Sequence, residues 1–267
     1  MKKIILSSLA IASISMVSGE ADISVNETSQ KSFFDRFHAK GDMRLRYETI
    51  EKGVDSNKYR TRYHFRYNLN VDIMDNLLLE TAISSGKGNP TSGNVSFKDD
   101  DNWADYFVDE LKLDIMDVQY KFDNSWIRAG KSKHHIYRPI KTQLIWDNDI
   151  RLEGVNYGYN NGTSQIRVGA NRVHREVDFK DGDDINIFLA QYVYAQKLGS
   201  AKANLGGGYY YYDGVKGNTV QSTNGFKQNS NDGSVYTQDY GILEAFGEIK
   251  YSNILGQPFK TAVTLAY

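Results

Sequence analysis

Residues 59–73 read YRTRYHFRYNLNVDI. The odd positions, Tyr59, Thr61, Tyr63, Phe65, Tyr67, Leu69, Val71 and Ile73, are aromatic and then aliphatic apart from one threonine. The even positions, Arg60, Arg62, His64, Arg66, Asn68, Asn70 and Asp72, are basic and then polar. Strand side chains alternate between two faces, so a period of two separates these sets, whereas helical spacing would mix them. A soluble strand usually runs ~5–6 residues, and a tilted strand crossing a bilayer needs ~9–11. The stretch therefore fits a transmembrane barrel strand, apolar face to lipid and charged face to a lumen. It fits a long strand of a soluble sheet equally well, and the rest of the chain has to decide.

The N-terminus narrows the choice. Lys2 and Lys3 precede an apolar and small-residue run from Ile4 to Val17, and Val17 and Gly19 suit a signal-peptidase site. Residues 1–19 thus read as a secretory signal, cut after Gly19 or alternatively Ala21. The run is too short for a membrane helix, and no other stretch reaches ~18 apolar residues. The expected setting is periplasm, secretion or an outer-membrane barrel. The 267 residues carry 32 basic and 33 acidic side chains, so no nucleic-acid partner is expected. Cysteine is absent and tyrosine is abundant at 19, so disulfides cannot staple the fold. Low mean hydropathy agrees with a barrel, in which only alternate residues face lipid.

Residues 20–37 read as a polar segment and 38–267 as the barrel. Alternation predicts eleven strands, near 38–50, 59–73, 77–84, 109–122, 125–130, 151–159, 164–175, 184–196, 201–212, 239–251 and 259–267. In the fourth, Leu111, Leu113 and Ile115 are odd while Val118, Tyr120 and Phe122 are even, which predicts a β-bulge near Met116-Asp117. Gly206 to Tyr212, GGGYYYY, reads as small residues where space is tight, then aromatics at a membrane boundary. Residues 85–105, rich in Gly, Asn and Asp, read as an exposed loop that cannot pack.

The connections decide the setting, because they alternate. The links at Asp75-Asn76, Asp123-Asn124, 160–162, 197–200 and 252–258 are short. Those at 51–57, 85–105, 131–149, 176–183 and 213–238 are longer, several much longer. Alternate links of an up-and-down antiparallel sheet lie at the same end. Short turns at one end and long loops at the other are the outer-membrane barrel layout. A soluble sandwich gives no reason for such sorting.

On the inward face of the first two strands, Arg44, Arg46, Arg60, Arg62 and Arg66 fall together, as strands lie ~4.8 Å apart. They read either as a wall of fixed charge biasing ion passage, or as structural partners of Asp42, Glu48 and Asp72. The third long link, 131–149, is unusually apolar, with Ile136, Tyr137, Ile140, Leu144, Ile145 and Trp146. Such a loop gains from burial, and folding into the barrel would narrow the pore. Its charges are Lys131, Lys133, Arg138 and Lys141, then Asp147 and Asp149, which would set a field across the constriction. Adjacent His134 and His135 point apart on an extended segment and predict no metal site. No nucleophile elbow or phosphate-cradling glycine loop occurs, and Asp147 with Asp149 lacks any catalytic company. Neither an enzyme nor a cofactor is expected.

GDMRLRYE (41–48), the Tyr- and Arg-rich second strand, WIRAGKS (126–132) and LIWDNDIRLEG (144–154) resemble the putative-porin family of Gram-negative outer membranes. The resemblance covers 38–175 well and the remainder by pattern. It implies a weakly selective diffusion channel for ions and small hydrophilic solutes, a homotrimer in outer-membrane lipid, and about sixteen strands, an even number like other single-chain barrels. Eleven is odd, so the chain reads as the N-terminal part of a longer barrel with free edges on strands one and eleven. The alternative is twelve strands with one overlooked. A different functional class, an adhesin or binding barrel working through loops 85–105 and 213–238, fits the same layout.

Overall fold

The computed structural model describes residues 33–50, 58–86, 94–96, 111–174, 184–218, 230–254 and 256–267. The expected signal at 1–19 and most of the polar segment 20–37 lie outside these residues. Within the described part, Phe33–Arg36 forms a 3-10 turn and the first strand begins at once.

Twelve strands follow: β1 (Phe37–Ile50), β2 (Lys58–Met74), β3 (Leu77–Ser85), β4 (Val95–Ser96), β5 (Leu111–Phe122), β6 (Ser125–Lys133), β7 (Arg151–Asn160), β8 (Ser164–His174), β9 (Ile185–Leu198), β10 (Ala201–Asp213), β11 (Tyr240–Ile254) and β12 (Gln257–Ala266). Eleven of them form one up-and-down antiparallel path in chain order, and β4 pairs with β2 off that path. The expected strands and the sorting of short and long links both hold. Among the described residues β1 and β12 are the ends of the path.

The two faces differ as the alternation in β2 requires. Met43, Leu45, Ile83, Leu113, Met116, Val118, Ile127, Val155, Val168, Phe188, Tyr192, Leu205, Leu243 and Val263 are exposed and share the outer face. The inner face carries buried polar groups, among them Asp117, Gln119, Arg128, Asn156, Asn171, Gln191, Asn204, Glu244 and Glu248. This inverts a soluble protein, where large apolar residues are inside.

The sheet is curled about residues 134–150. Arg66 on β2 reaches Asp149 at 3.3 Å, while Glu248 on β11 accepts the Ile140 N–H at 2.8 Å. Seven strands separate β2 from β11 along the path, roughly 38 Å if the sheet were flat. The loop is folded back on itself between these points, with Arg138 donating to the Trp146 carbonyl at 2.9 Å. A doubled-back loop touches both strands only if the sheet wraps around it.

Three expectations change. The bulge lies two residues earlier than Met116-Asp117: Ala82 pairs with Ile115 and Ile83 with Leu113, which leaves Asp114 extra. Ile115 faces inward and is buried, so its apolar character misleads the phase count. Loop 85–105 is not wholly exposed, since Val95 pairs with Tyr63 and is buried. In GGGYYYY only Tyr209 and Tyr211 face outward. Tyr210 is fully buried on the inner face, and the glycines make room there: a Cβ on Gly206 would lie 2.5 Å from the Phe246 ring.

Candidate functional site

The site is the inner face together with the loop lodged against it. Lys131 and Lys133, expected in the loop, belong to β6, where Lys133 pairs with Arg151 and Lys131 with Glu153. Ladder pairing with β7 extends that far, so the loop proper begins at His134. Lys131 also meets the Glu153 carboxylate at 3.5 Å, an ion pair on the outer face.

The loop is held at two ends by opposite charge. At its start, Tyr137 is laced to β9, β10 and β11. Its N–H donates to Gln191 Oε1 at 2.8 Å, and its carbonyl accepts from Gln191 Nε2 at 2.9 Å. Its hydroxyl donates to Glu248 and accepts from Asn204 Nδ2 at 2.8 Å and Lys250 Nζ at 3.1 Å. Burial and then Glu248 push the Tyr137 hydroxyl up in pKa, so it stays a donor. Its ring stacks on Phe246 at 5.6 Å. Ile140 and Lys141 follow with φ of 46° and 62°. Left-handed backbone costs a β-branched residue steric energy, and the Ile140 N–H bond to Glu248 holds that turn in place.

The middle of the loop is apolar and buried. Trp146 is 1% exposed and meets Tyr210 edge-on at 4.9 Å, in a cluster with Ile136, Leu152, Ile187 and Leu189. This is the burial that the loop's composition predicts. Towards the exit, Asp147 and Asp149 separate in role. Asp147 Oδ1 accepts the Asp149 N–H at 2.7 Å, closing the loop's own turn, whereas Asp149 reaches Arg66. Arg138 turns back to the Trp146 carbonyl and the Asn148 side chain. Lys141 makes the second left-handed turn residue at the tip.

The five inward arginines are not a bare wall. Glu48 accepts from Arg46 at 2.7 Å and Arg60 at 2.6 Å, with Arg62 at 3.6 Å. Arg66 is shared between Asp114 at 3.1 Å and Asp149 at 3.3 Å. Arg44 donates to the Asn94 side chain, and Arg62 donates to the Asn94 carbonyl at 3.2 Å. Of the expected partners, Glu48 is the one seen to meet them among the described residues. Asp42 lies 3.2 Å from His64 and Asp72 3.0 Å from His38. The bulge explains the unforeseen one: the extra residue, Asp114, turns inward, where Arg66 and Arg151 meet it.

Reading the sequence outward-first missed the far wall, formed by Gln191, Asn204, Tyr210, Glu244 and Glu248. The signal was there. Glu244 and Glu248 occupy the positions alternate to Leu243, Ala245, Gly247 and Ile249, hence the inner face. Glu244 accepts from the Tyr210 hydroxyl at 2.5 Å. The loop thus runs from a carboxylate-bearing wall on β11 to an arginine-bearing wall on β2.

His134 and His135 sit on different indoles, Trp146 at 5.4 Å and Trp126 at 5.0 Å, which agrees with their pointing apart. Burial holds His134 down at about 4, with Arg138 adding to it, and His135 at about 3, with Arg128 adding. The docked loop therefore requires neutral imidazoles, while a released loop titrates at the ordinary 6.5. Protons then favour release as pH falls from 6.5 towards 4, and docking is unaffected by these groups above that range. Trp146 fluorescence is expected to shift red and become quencher-accessible over that window. In a His134→Gln, His135→Gln protein the acid transition should largely vanish.

A family model described as "Putative porin" matches residues 49–240. A search of curated proteins gives no match.

Proposed function

The chain belongs to the putative porin family, and on that premise we propose that it forms a water-filled outer-membrane channel for passive diffusion of ions and small hydrophilic solutes. In this reading residues 134–150 are the constriction. The observation that carries it is the loop's anchorage between Glu248 and Arg66, which places an apolar-cored, charge-tipped segment inside the curl of the sheet. Fixed positive charge then borders the narrowed passage on the side of β1 and β2, whereas Glu244 and Glu248 are buried on the far wall, where Glu248 holds the loop. Arg44, Arg46, Arg60 and Arg62 stand above, on the long-loop half of β1 and β2. The chemistry asked of the protein is positioning and electrostatics, without a catalytic step.

Export through residues 1–19, lipid around the apolar outer face and assembly as a homotrimer belong to the same proposal. Planar-bilayer recording of the full-length protein tests it: stepwise ohmic conductance is expected, and a silent barrel overturns the channel. The outer face has its own test. Val168, between Tyr157 and Ala190 in the apolar band, becomes costly to charge only if lipid covers it. Val168→Arg is expected to destabilise the protein in bilayers by about 2–4 kcal/mol, with little effect on the same face in water.

One observation favours the second reading, a binding barrel. The link between β10 and β11 is structured at its base, where Val215, Tyr236 and Ile185 bury one another and Asp239 accepts the N–H groups of Val215 and Lys216. A non-conducting barrel that holds a ligand through this end would support it.

A further inference from the structure

Among the described residues, the arginine group at the long-loop end of β1 and β2 is more positive than its partners can balance. Register sets Arg46 directly opposite Arg62, Glu48 opposite Arg60 and Arg44 opposite His64. Facing residues of an antiparallel pair lie ~4.5–5.5 Å apart at Cβ, and like charges there are unfavourable. Glu48 is the carboxylate among the described residues that touches Arg46, Arg60 and Arg62. Its two oxygens offer about four acceptor directions, while each guanidinium brings five N–H donors. Among the described residues the other acceptor is Asn94, whose side-chain and backbone oxygens take Arg44 and Arg62. Arg62 Nε is buried and meets no acceptor among the described residues. Arg46 and Arg60 remain open to solvent, with side chains 42% and 39% exposed.

We propose that Arg44, Arg46, Arg60 and Arg62 form an oxyanion site, taking a permeating solute that carries a phosphate or carboxylate. The geometry fits that class. Arg46, Arg60 and Arg62 all reach the one Glu48 carboxylate, so a single oxyanion can meet more than one of them, and Arg44 and Arg62 share Asn94. Planar forked donors favour oxyanions with several acceptor atoms over halide. Glu48 sets the strength of the site, holding the arginines together when it is empty and competing with the incoming anion. This inference rests on the channel reading for its route of access, but the binding itself does not need conduction.

The test uses the refolded full-length protein and inorganic phosphate. Phosphate binding is read by phosphorus NMR line broadening, and conduction by chloride current in a bilayer with phosphate added on the long-loop side. The wild type is expected to bind phosphate, to prefer anions and to show phosphate block. Arg46→Gln with Arg62→Gln is expected to weaken binding at least tenfold and to lower the anion preference. Glu48→Gln is expected to tighten binding several-fold, an effect opposite to that of general misfolding. Phosphate binding and block unchanged in the arginine variant overturn the site while leaving the channel standing. Binding without any conductance overturns the channel and leaves the site, as a binding barrel requires. Failure of the wild type to bind phosphate overturns the site outright.

Discussion

Replacing residues 134–150 with Asn-Gly is expected to raise single-channel conductance several-fold without unfolding the barrel. The register licenses so drastic an excision. Lys133 and Arg151 are already opposed at the end of the β6–β7 ladder, and two residues of that type close an antiparallel pair in a tight turn. What is removed is the segment lodged on the inner face. What is kept is every strand and every ladder bond, as the proposed bilayer setting requires of the backbone. The excision exposes Leu152, Ile187, Leu189 and Tyr210, which the loop covers. Their exposure costs stability at ~25 cal/mol per Å² of apolar surface, so a modest loss of thermal stability should accompany the gain in current. Ion selectivity should change with conductance, because Asp149 leaves and Arg66 keeps only Asp114. A single-channel current equal to that of the parent protein would show that the loop does not limit flow.

Much of this fold is written locally. In 59–73 each side chain declares its face, and short turn residues such as Asp75-Asn76 and Asp123-Asn124 mark the tight reversals. Strand bounds read from alternation therefore agree with the structure to within a few residues. The loop's inward course was legible for a related reason, since Ile136, Ile145 and Trp146 have no stable place in water. The partners of that loop were harder to see. Tyr137 meets Glu248 across 111 positions of sequence, and nothing local says that β11 curls round to the loop. The bulge shows the same limit on a smaller scale. Ile115 is apolar yet faces inward and is buried opposite Ala82. Once the phase is misjudged there, Asp114 passes as an ordinary strand residue. In the structure it is the counter-charge for Arg66 and Arg151.

The charge arrangement also gains meaning only in the assembled sheet. Five arginines close together in sequence suggest a uniformly positive wall. The structure divides them into two groups. Arg66 is committed to two carboxylates, one from the bulge and one from the loop, and so acts on the loop's position. The other four share little acidic company among the described residues, which is what the proposed oxyanion site draws on. Asp149 joins the loop to Arg66, next to the other four arginines on β1 and β2.

Glu248→Ala is expected to unlatch the loop while leaving it in the chain, and so to produce an unstable, fluctuating conductance. Glu248 is 2% exposed and accepts from four groups: the Tyr137 hydroxyl, the Ile140 N–H, Asn204 Nδ2 at 2.9 Å and Lys250 Nζ at 2.8 Å. Removing this buried acceptor leaves the Tyr137 hydroxyl, the Ile140 N–H and Asn204 Nδ2 without that partner, at a cost of about 1–3 kcal/mol. Here the cost falls on docking rather than on the barrel, since the strand ladders do not involve the Glu248 side chain. Ile140 then holds its left-handed turn without its acceptor, and that strain favours release. Glu248→Gln keeps an acceptor for Ile140 but loses the charge that balances Lys250, so an intermediate phenotype is expected. Trp146 reports the same event optically through its contact with Tyr210, becoming more accessible to quencher in the order wild type, Gln, Ala. A quiet wild-type current together with a protected Trp146 in Glu248→Ala would place the loop's anchorage in the apolar cluster instead, because only the Ile136–Trp146–Leu152 packing would then remain to hold it.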